Sequence, residues 1–260
     1  MKEETMLKNT SQRRKDILAK IKAEGSVNVM DLADLYQVSA VTIRNDLTFL
    51  EQQGVLIRSH GGAIFSPTIQ NESSIQEKHI LNADKKNKIA QKATELIKDK
   101  DSIILDSGTT TERIADYLTN EVQLTVMTNG LNVAQKLAQK ENIDVIISGG
   151  MLRKKSLSFY GSQAEDNLRA YHFDKLFLGV DGFHLTNGIT THSENEARLN
   201  KIMSEVSNEV IIVSDSSKFG KLSLHKILTI SQISTIITDS GIPEEYYQGL
   251  VQQGINVILV

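Results

Sequence analysis

Residues 26–62 read SVNVMDLADLYQVSAVTIRNDLTFLEQQGVLIRSHGG, two short helical patterns joined by a tight Gln37-Val38-Ser39 turn. In the second pattern Ile43, Leu47 and Leu50 fall within a narrow arc at about 100° per residue. Val41, Asn45 and Thr48 point the opposite way, with Thr42 and Arg44 on the flanks. Ser39 is a suitable N-cap for this helix. Arginine can fork to guanine, asparagine can pair with adenine, and valine or threonine methyls can touch the thymine methyl. A hairpin-like segment carrying Arg58 and His60 follows. Upstream, Ser11 can cap a helix through Arg14, Ile17, Leu18 and Ile21, which Gly25 stops. A second helix, about 30–36, is expected to bury Leu32 and Leu35. Either helix alone reads as an ordinary amphipathic surface element. Three helices, a short turn and a ribbon together are the layout of a winged helix-turn-helix, which puts one helix into the DNA major groove and a β-ribbon beside it.

The remaining three-quarters of the 260 residues suits one α/β domain. Net charge is −3; residues 1–65 hold nine Lys/Arg against eight Asp/Glu. A DNA-binding reading therefore rests on where the cations sit: Arg13, Arg14 and Lys15 at the start of the first helix, Arg44 on the reading helix, Arg58 in the wing. The chain has no cysteine, which excludes disulfides and thiolate metal sites. It has no apolar run near the roughly 18 residues of a membrane helix, and the start MKEETMLKNTSQRRK lacks a signal-peptide core. A cytoplasmic location without membrane association is expected. Six histidines show no metal-ligand spacing, so neither metal nor cofactor is expected.

The expected organisation is a DNA-binding domain over 1–65, a linker over 66–82 and an α/β domain over 83–260. The pattern weakens around Pro67, Asn71, Ser73 and Ser74. A charged amphipathic helix, about 83–98, follows, with Ile89, Ala93, Leu96 and Ile97 on one side. Strand and helix then alternate: SIILDSG and TTTERIADYL, QLTVMTNG and LNVAQKLAQK, IDVIISGG, KLFLGVDG, EARLNKIMSEVSNE, VIIVSDSSK, TIITD, NVILV. Such alternation implies a mostly parallel, Rossmann-like sheet covered on both faces. Ligands of these sheets bind beyond the carboxyl ends of the strands, near a topological switch point.

Polar fingerprints fall at those ends: Asp106-Ser107-Gly108-Thr109-Thr110-Thr111, Thr128-Asn129-Gly130, Gly149-Gly150, Asp181-Gly182 and Asp215-Ser216-Ser217-Lys218. Gly108 lets the chain turn sharply after a strand. The threonines offer hydroxyls and free amides at a helix start, where the macrodipole favours an anion such as phosphate. Lys218 can neutralise a second side of it. The same string also reads as helix caps and turn chemistry. Asp106, Asn129, Asp181 and Glu194 can hydrogen-bond sugar hydroxyls, and each alone also reads as a loop cap. No Walker or dinucleotide glycine motif is present.

The stretch RRKDILAKIKAEGSVNVMDLADLYQVSAVTIRNDLTFLEQQGVLIRSHGGA resembles the N-terminal domain of the DeoR family of bacterial transcriptional regulators. LDSGTTT, TNG, SGGMLRKKSLSFYG, FLGVDG, THSENEARLNK and VSDSSKFG resemble successive blocks of its C-terminal sensor, so the likeness runs over nearly the whole chain. One departure is Asn45, where the family's T-I-R-R-D-L has a second arginine. The strings VTIRNDLTFLEQQGV, SFYGSQAE, YHFDKLFLGVDG and SLHKI are most similar to the branch that controls N-acetylgalactosamine and galactosamine use. The resemblance implies a homo-oligomer, dimer or tetramer, that binds double-stranded operator DNA. It implies a sensor related to sugar-phosphate isomerases, with galactosamine 6-phosphate or N-acetylgalactosamine 6-phosphate as inducer. Phosphate is then carried to Ser107–Thr111 and Lys218, and the sugar to Asp106, Asn129, Gly149, Gly150, Asp181 and Glu194. The alternative is a sugar-phosphate isomerase with an appended DNA module. Ribose-5-phosphate isomerases carry D-G-A-D-E where this chain reads Asp181-Gly182-Phe183-His184-Leu185, without the second and third carboxylates.

Overall fold

A computed structural model describes residues 10–52, 56–59, 61–65 and 74–260. The chain divides into two units, Met1–Glu72 and Ser73–Val260. The first unit contains α1 (Thr10–Glu24), β1 (Ser26–Asn28), α2 (Val29–Tyr36), α3 (Ala40–Gln52), β2 (Leu56–Ser59) and β3 (Gly62–Phe65). β3 lies between β1 and β2 in an antiparallel ribbon. Ile17, Ile21, Leu32, Ile43, Leu47 and Leu56 are fully buried in one cluster. That is the arc expected for α3 meeting one face each of α1 and α2. Asn28 caps α2 by accepting from Met30 N at 2.7 Å, and Gln37 ends α2 in the left-handed region. Two expectations fail here. Thr10 is already helical, so Ser11 lies inside α1 and not at its cap. Leu35 is 58% exposed, because Val29, Leu32 and Ala33 are the residues of α2 that turn inward.

The second unit opens with α4 (Ile75–Ile80) and α5 (Ala83–Thr94). β4 (Ser102–Leu105), α6 (Thr109–Tyr117), β5 (Leu124–Thr128), α7 (Leu131–Leu137) and β6 (Ile143–Ile147) follow. Next come the hairpin β7 (Met151–Arg153) and β8 (Ser158–Tyr160), α8 (Ser162–Arg169) and β9 (Phe173–Leu178). A small antiparallel sheet holds β10 (Gly182–His184), β11 (Gly188–Thr191) and, after α9 (Glu194–Glu205) and β12 (Ser207–Val213), β13 (His225–Leu228). β14 (Thr235–Thr238), α10 (Glu244–Gln252) and β15 (Asn256–Leu259) close the chain. Seven strands form one parallel sheet in the order β15-β14-β12-β9-β4-β5-β6. The chain runs outward from β4 through β5 to β6, then returns to β9 on the other side of β4. The switch point therefore lies between β4 and β9, and the carboxyl ends of those strands are where a ligand is expected. Two apolar clusters line the sheet, one built on Leu176, Phe183 and Met203, the other on Ile103, Val126 and Phe177.

The linker expected over 66–82 is corrected at its end. Ser74 accepts from Glu77 N at 3.3 Å while Glu77 accepts from Ser74 N at 2.8 Å, a capping box that starts α4 inside the second unit. The amphipathic helix expected over 83–98 ends at Thr94. Among the described residues no helix is long and apolar enough to cross a membrane, and no group of three His, Cys, Asp or Glu side chains is placed to hold a metal.

Candidate functional site

The first unit presents Val41, Arg44, Asn45 and Thr48 on the exposed side of α3, with Thr42 partly exposed. Ser39 Oγ accepts from Thr42 N at 3.1 Å and so starts the helix as expected. The two arginines of α1 do something else. Arg13 Nε donates to Asp46 Oδ2 at 2.6 Å and Arg14 Nε to Asp46 Oδ1 at 2.7 Å. Arg13 and Asp46 are buried, and the Arg14 guanidinium lies 3.9 Å over the Phe49 ring. A buried carboxylate needs such partners. Arg13 and Arg14, expected to bind DNA, therefore fasten α1 to α3. Arg58 turns back onto α3. Its Nη1 donates to Thr48 Oγ1 at 2.9 Å and to Arg44 O at 3.2 Å, and its backbone N to Glu51 Oε1 at 2.9 Å. His60 lies outside the described residues.

The second unit has a cleft of about 730 Å3, its open mouth included, at the switch point. Asp106, Ser107, Gly108, Thr109 and Thr110, which follow β4, form one wall. No side chain caps the start of α6, where Gly108 is the N-cap. Its first-turn amides have no intrahelical acceptor and attract an anion. Asp181, just after β9, and Asp215 and Lys218, after β12, stand opposite. Thus seven residues read as ligand-binding from sequence come together: Asp106, Ser107, Gly108, Thr109, Thr110, Asp181 and Lys218.

Five do not line the cleft. The Thr111 hydroxyl donates to Asp106 O at 2.5 Å and Gly108 O at 2.7 Å, so it shapes the turn from inside. Gly149 and Gly150 turn the chain between β6 and β7 at φ 74° and 94°; a side chain on Gly150 would collide with the Tyr160 carbonyl oxygen. Asn129 is fully buried, with neither side-chain polar atom partnered. Glu194 is exposed on the first turn of α9, and Glu196 is the carboxylate that faces the cleft. Positions i and i+2 of a helix point about 200° apart, which sequence spacing alone did not resolve.

The cleft also gains residues that the sequence reading missed. Lys78 of α4 donates to Asp181 Oδ1 at 2.7 Å, and Thr191 Oγ1 is 3.1 Å from Asp181 Oδ2. Lys86 of α5 donates to Lys78 O at 2.5 Å. Glu196 accepts from Arg153 Nη1 and Thr191 Oγ1, each at 3.1 Å. Asn200 lines the cleft with a buried Oδ1 that has no partner. The capping box before α4 was the one available signal for Lys78.

Electrostatics divide this cleft. Burial lowers Lys86 to about 8, with Lys218, Arg113 and Lys78 adding repulsion against the pull of Asp215. Burial likewise lowers Lys218, which Asp181 partly restores. Burial opposes the charge on Asp181, but Lys78 and Lys218 outweigh it and hold its carboxyl down to about 2. Across the cleft, burial and the charge of Glu196 push Asp106 up to about 7, against hydrogen bonds from the Ser107 and Gly179 backbone. Three mutually repelling lysines beside an uncapped helix start suit a dianion. Asp106, near its midpoint at neutral pH, can donate or accept with a hydroxyl.

Residues 13–68 match the DeoR-like helix-turn-helix domain and residues 81–240 the DeoR C terminal sensor domain. The chain is 49% identical to a protein of Escherichia coli O157:H7 that bears the name of an aga operon transcriptional repressor, over 99% of this chain and 96% of that one. It is 31% identical to the glycerol-3-phosphate regulon repressor of Escherichia coli K12, over 96% and 98%. Among solved structures it is similar to ribose 5-phosphate isomerase A of Methanocaldococcus jannaschii, 23% identical over 53% of this chain and 55% of that one. The TM-score is 0.40. The chain belongs to the DeoR family: it is a DNA-binding transcriptional repressor with a helix-turn-helix and a sensor domain, and not an enzyme.

Proposed function

We propose that this repressor controls an operon for N-acetylgalactosamine and galactosamine use, and that galactosamine 6-phosphate or N-acetylgalactosamine 6-phosphate releases it from its operator. It acts in the cytoplasm as a dimer or tetramer on a repeated site, reading bases through Val41, Thr42, Arg44, Asn45 and Thr48. The observation that carries the effector assignment is the cleft's two poles. Lys78, Lys86, Lys218 and the α6 start offer charge for a phosphate, while Asp106, Glu196 and Asn200 offer hydrogen-bonding groups for a sugar. The name of the Escherichia coli O157:H7 relative supports the choice of operon.

Calorimetric titration with those two esters, galactose 6-phosphate and glucose 6-phosphate tests this reading. The two galactosamine esters should bind at least about tenfold tighter than glucose 6-phosphate, a preference of about 1.4 kcal/mol. Equal affinity for all four would remove the amino-sugar assignment.

A further inference from the structure

The chain enters the sensor unit through α4, and α4 is held there mostly by polar ties. Ile75 is its one buried apolar side chain, while Ile80, at its end, and the following Leu81 are 81% and 57% exposed. The ties are specific. Lys78 bonds Asp181 inside the cleft at 2.7 Å. Lys86 holds the Lys78 carbonyl. His79 Nε2 sits 3.1 Å from Glu112 Oε2, and Arg113 donates to His79 O at 3.1 Å. A short helix with little apolar burial is the kind of element that opens at low cost.

We infer that Lys78 is an effector-phosphate ligand that exchanges Asp181 for the phosphate, and that this exchange displaces α4 and so carries the effector signal toward the DNA-binding unit. The inference rests on the sugar-phosphate reading above. Its physical basis is competition. Asp181 carries one negative charge and shares Lys78 with the repulsion of Lys86 and Lys218 close by. A phosphate brings about two charges and three acceptor oxygens to the same three lysines. It is the stronger partner, and the uncapped start of α6 gives it a second anchor in the cleft. A ligand shifts an equilibrium only through differential contacts in the two states, and the Lys78 exchange is such a contact. Lys218 differs: it lies in the turn after β12, whereas Lys78 is the one of the three lysines that α4 itself supplies, so Lys218 contributes to affinity without carrying the signal.

The test uses the full chain and measures effector affinity with and without operator, with galactosamine 6-phosphate and N-acetylgalactosamine 6-phosphate as probes. In the wild type, operator should weaken effector binding about tenfold or more. In Lys78→Met the ratio should fall to within about twofold of unity, so that saturating effector no longer sets the DNA affinity, and Lys78→Arg should restore part of the ratio. Lys218→Ala should need more effector yet reach full release at saturation. Hydrogen exchange in the wild type should rise across residues 75–82 when effector binds. Full release by saturating effector in Lys78→Met would overturn the inference. So would unchanged exchange across 75–82 in the wild type, a result that holds even if Lys78→Met fails to fold or to bind. If the wild type binds neither ester, the sugar-phosphate reading itself falls and takes this inference with it.

Discussion

Asn45 and Arg44 sit side by side on the exposed face of α3, and both can make paired hydrogen bonds to a base. Arg44→Ala should cost about 1–3 kcal/mol on the specific operator and flatten preference at one base position. Equal weakening on specific and random DNA, measured by competition titration, would reduce Arg44 to a phosphate contact. In the cleft, Asp106 carries the clearest pH signature. Its folded value of about 7 lies above the unfolded 3.8, so the folded state binds the extra proton between those values. Stability contributed by that proton is present at low pH and is lost as pH rises toward 7. Asp106→Asn cannot ionise, so it should gain on the wild type by up to about 4 kcal/mol between acid and neutral pH. Urea denaturation across that range should show the two slopes diverging; parallel slopes would mean Asp106 titrates normally.

At the scale of elements, the Arg13–Asp46–Arg14 brace decides whether α3 is presented at all. Asp46→Ala leaves a buried guanidinium without its counter-charge, which should destabilise the first unit by about 3 kcal/mol. Hydrogen-exchange protection of α1 and α3 should fall, while effector affinity of the second unit should not; intact protection would show the pairs to be dispensable. This brace also marks where sequence reading stops. Ile43, Leu47 and Leu50 announce α3 because periodicity is local, and the Ser107–Thr110 turn announces the cleft because turn chemistry is local. The Arg13–Asp46 pair is not legible in the sequence, because its partners are 33 residues apart. Glu196, and not the expected Glu194, faces the cleft because helix phase relative to the sheet is a tertiary fact. Lys78 was missed because the polar run before it resembles a linker, although the Ser74–Glu77 box within it starts a helix.

For the whole molecule, the helix-turn-helix and the sensor domain reside in two units, and the proposed release of operator requires one to change the affinity of the other. In the proposed function phosphate lies on three lysines and the α6 start, sugar against Asp106, Glu196 and Asn200, and operator bases against α3. Reciprocity then requires that whatever operator costs the effector, effector costs the operator by the same factor. The most direct measurement is operator binding by the full chain titrated with galactosamine 6-phosphate and N-acetylgalactosamine 6-phosphate, with glucose 6-phosphate as control. At least one amino-sugar ester should lower operator affinity about tenfold or more at saturation, with glucose 6-phosphate far weaker. Operator affinity that stays constant across all three titrations would contradict the account.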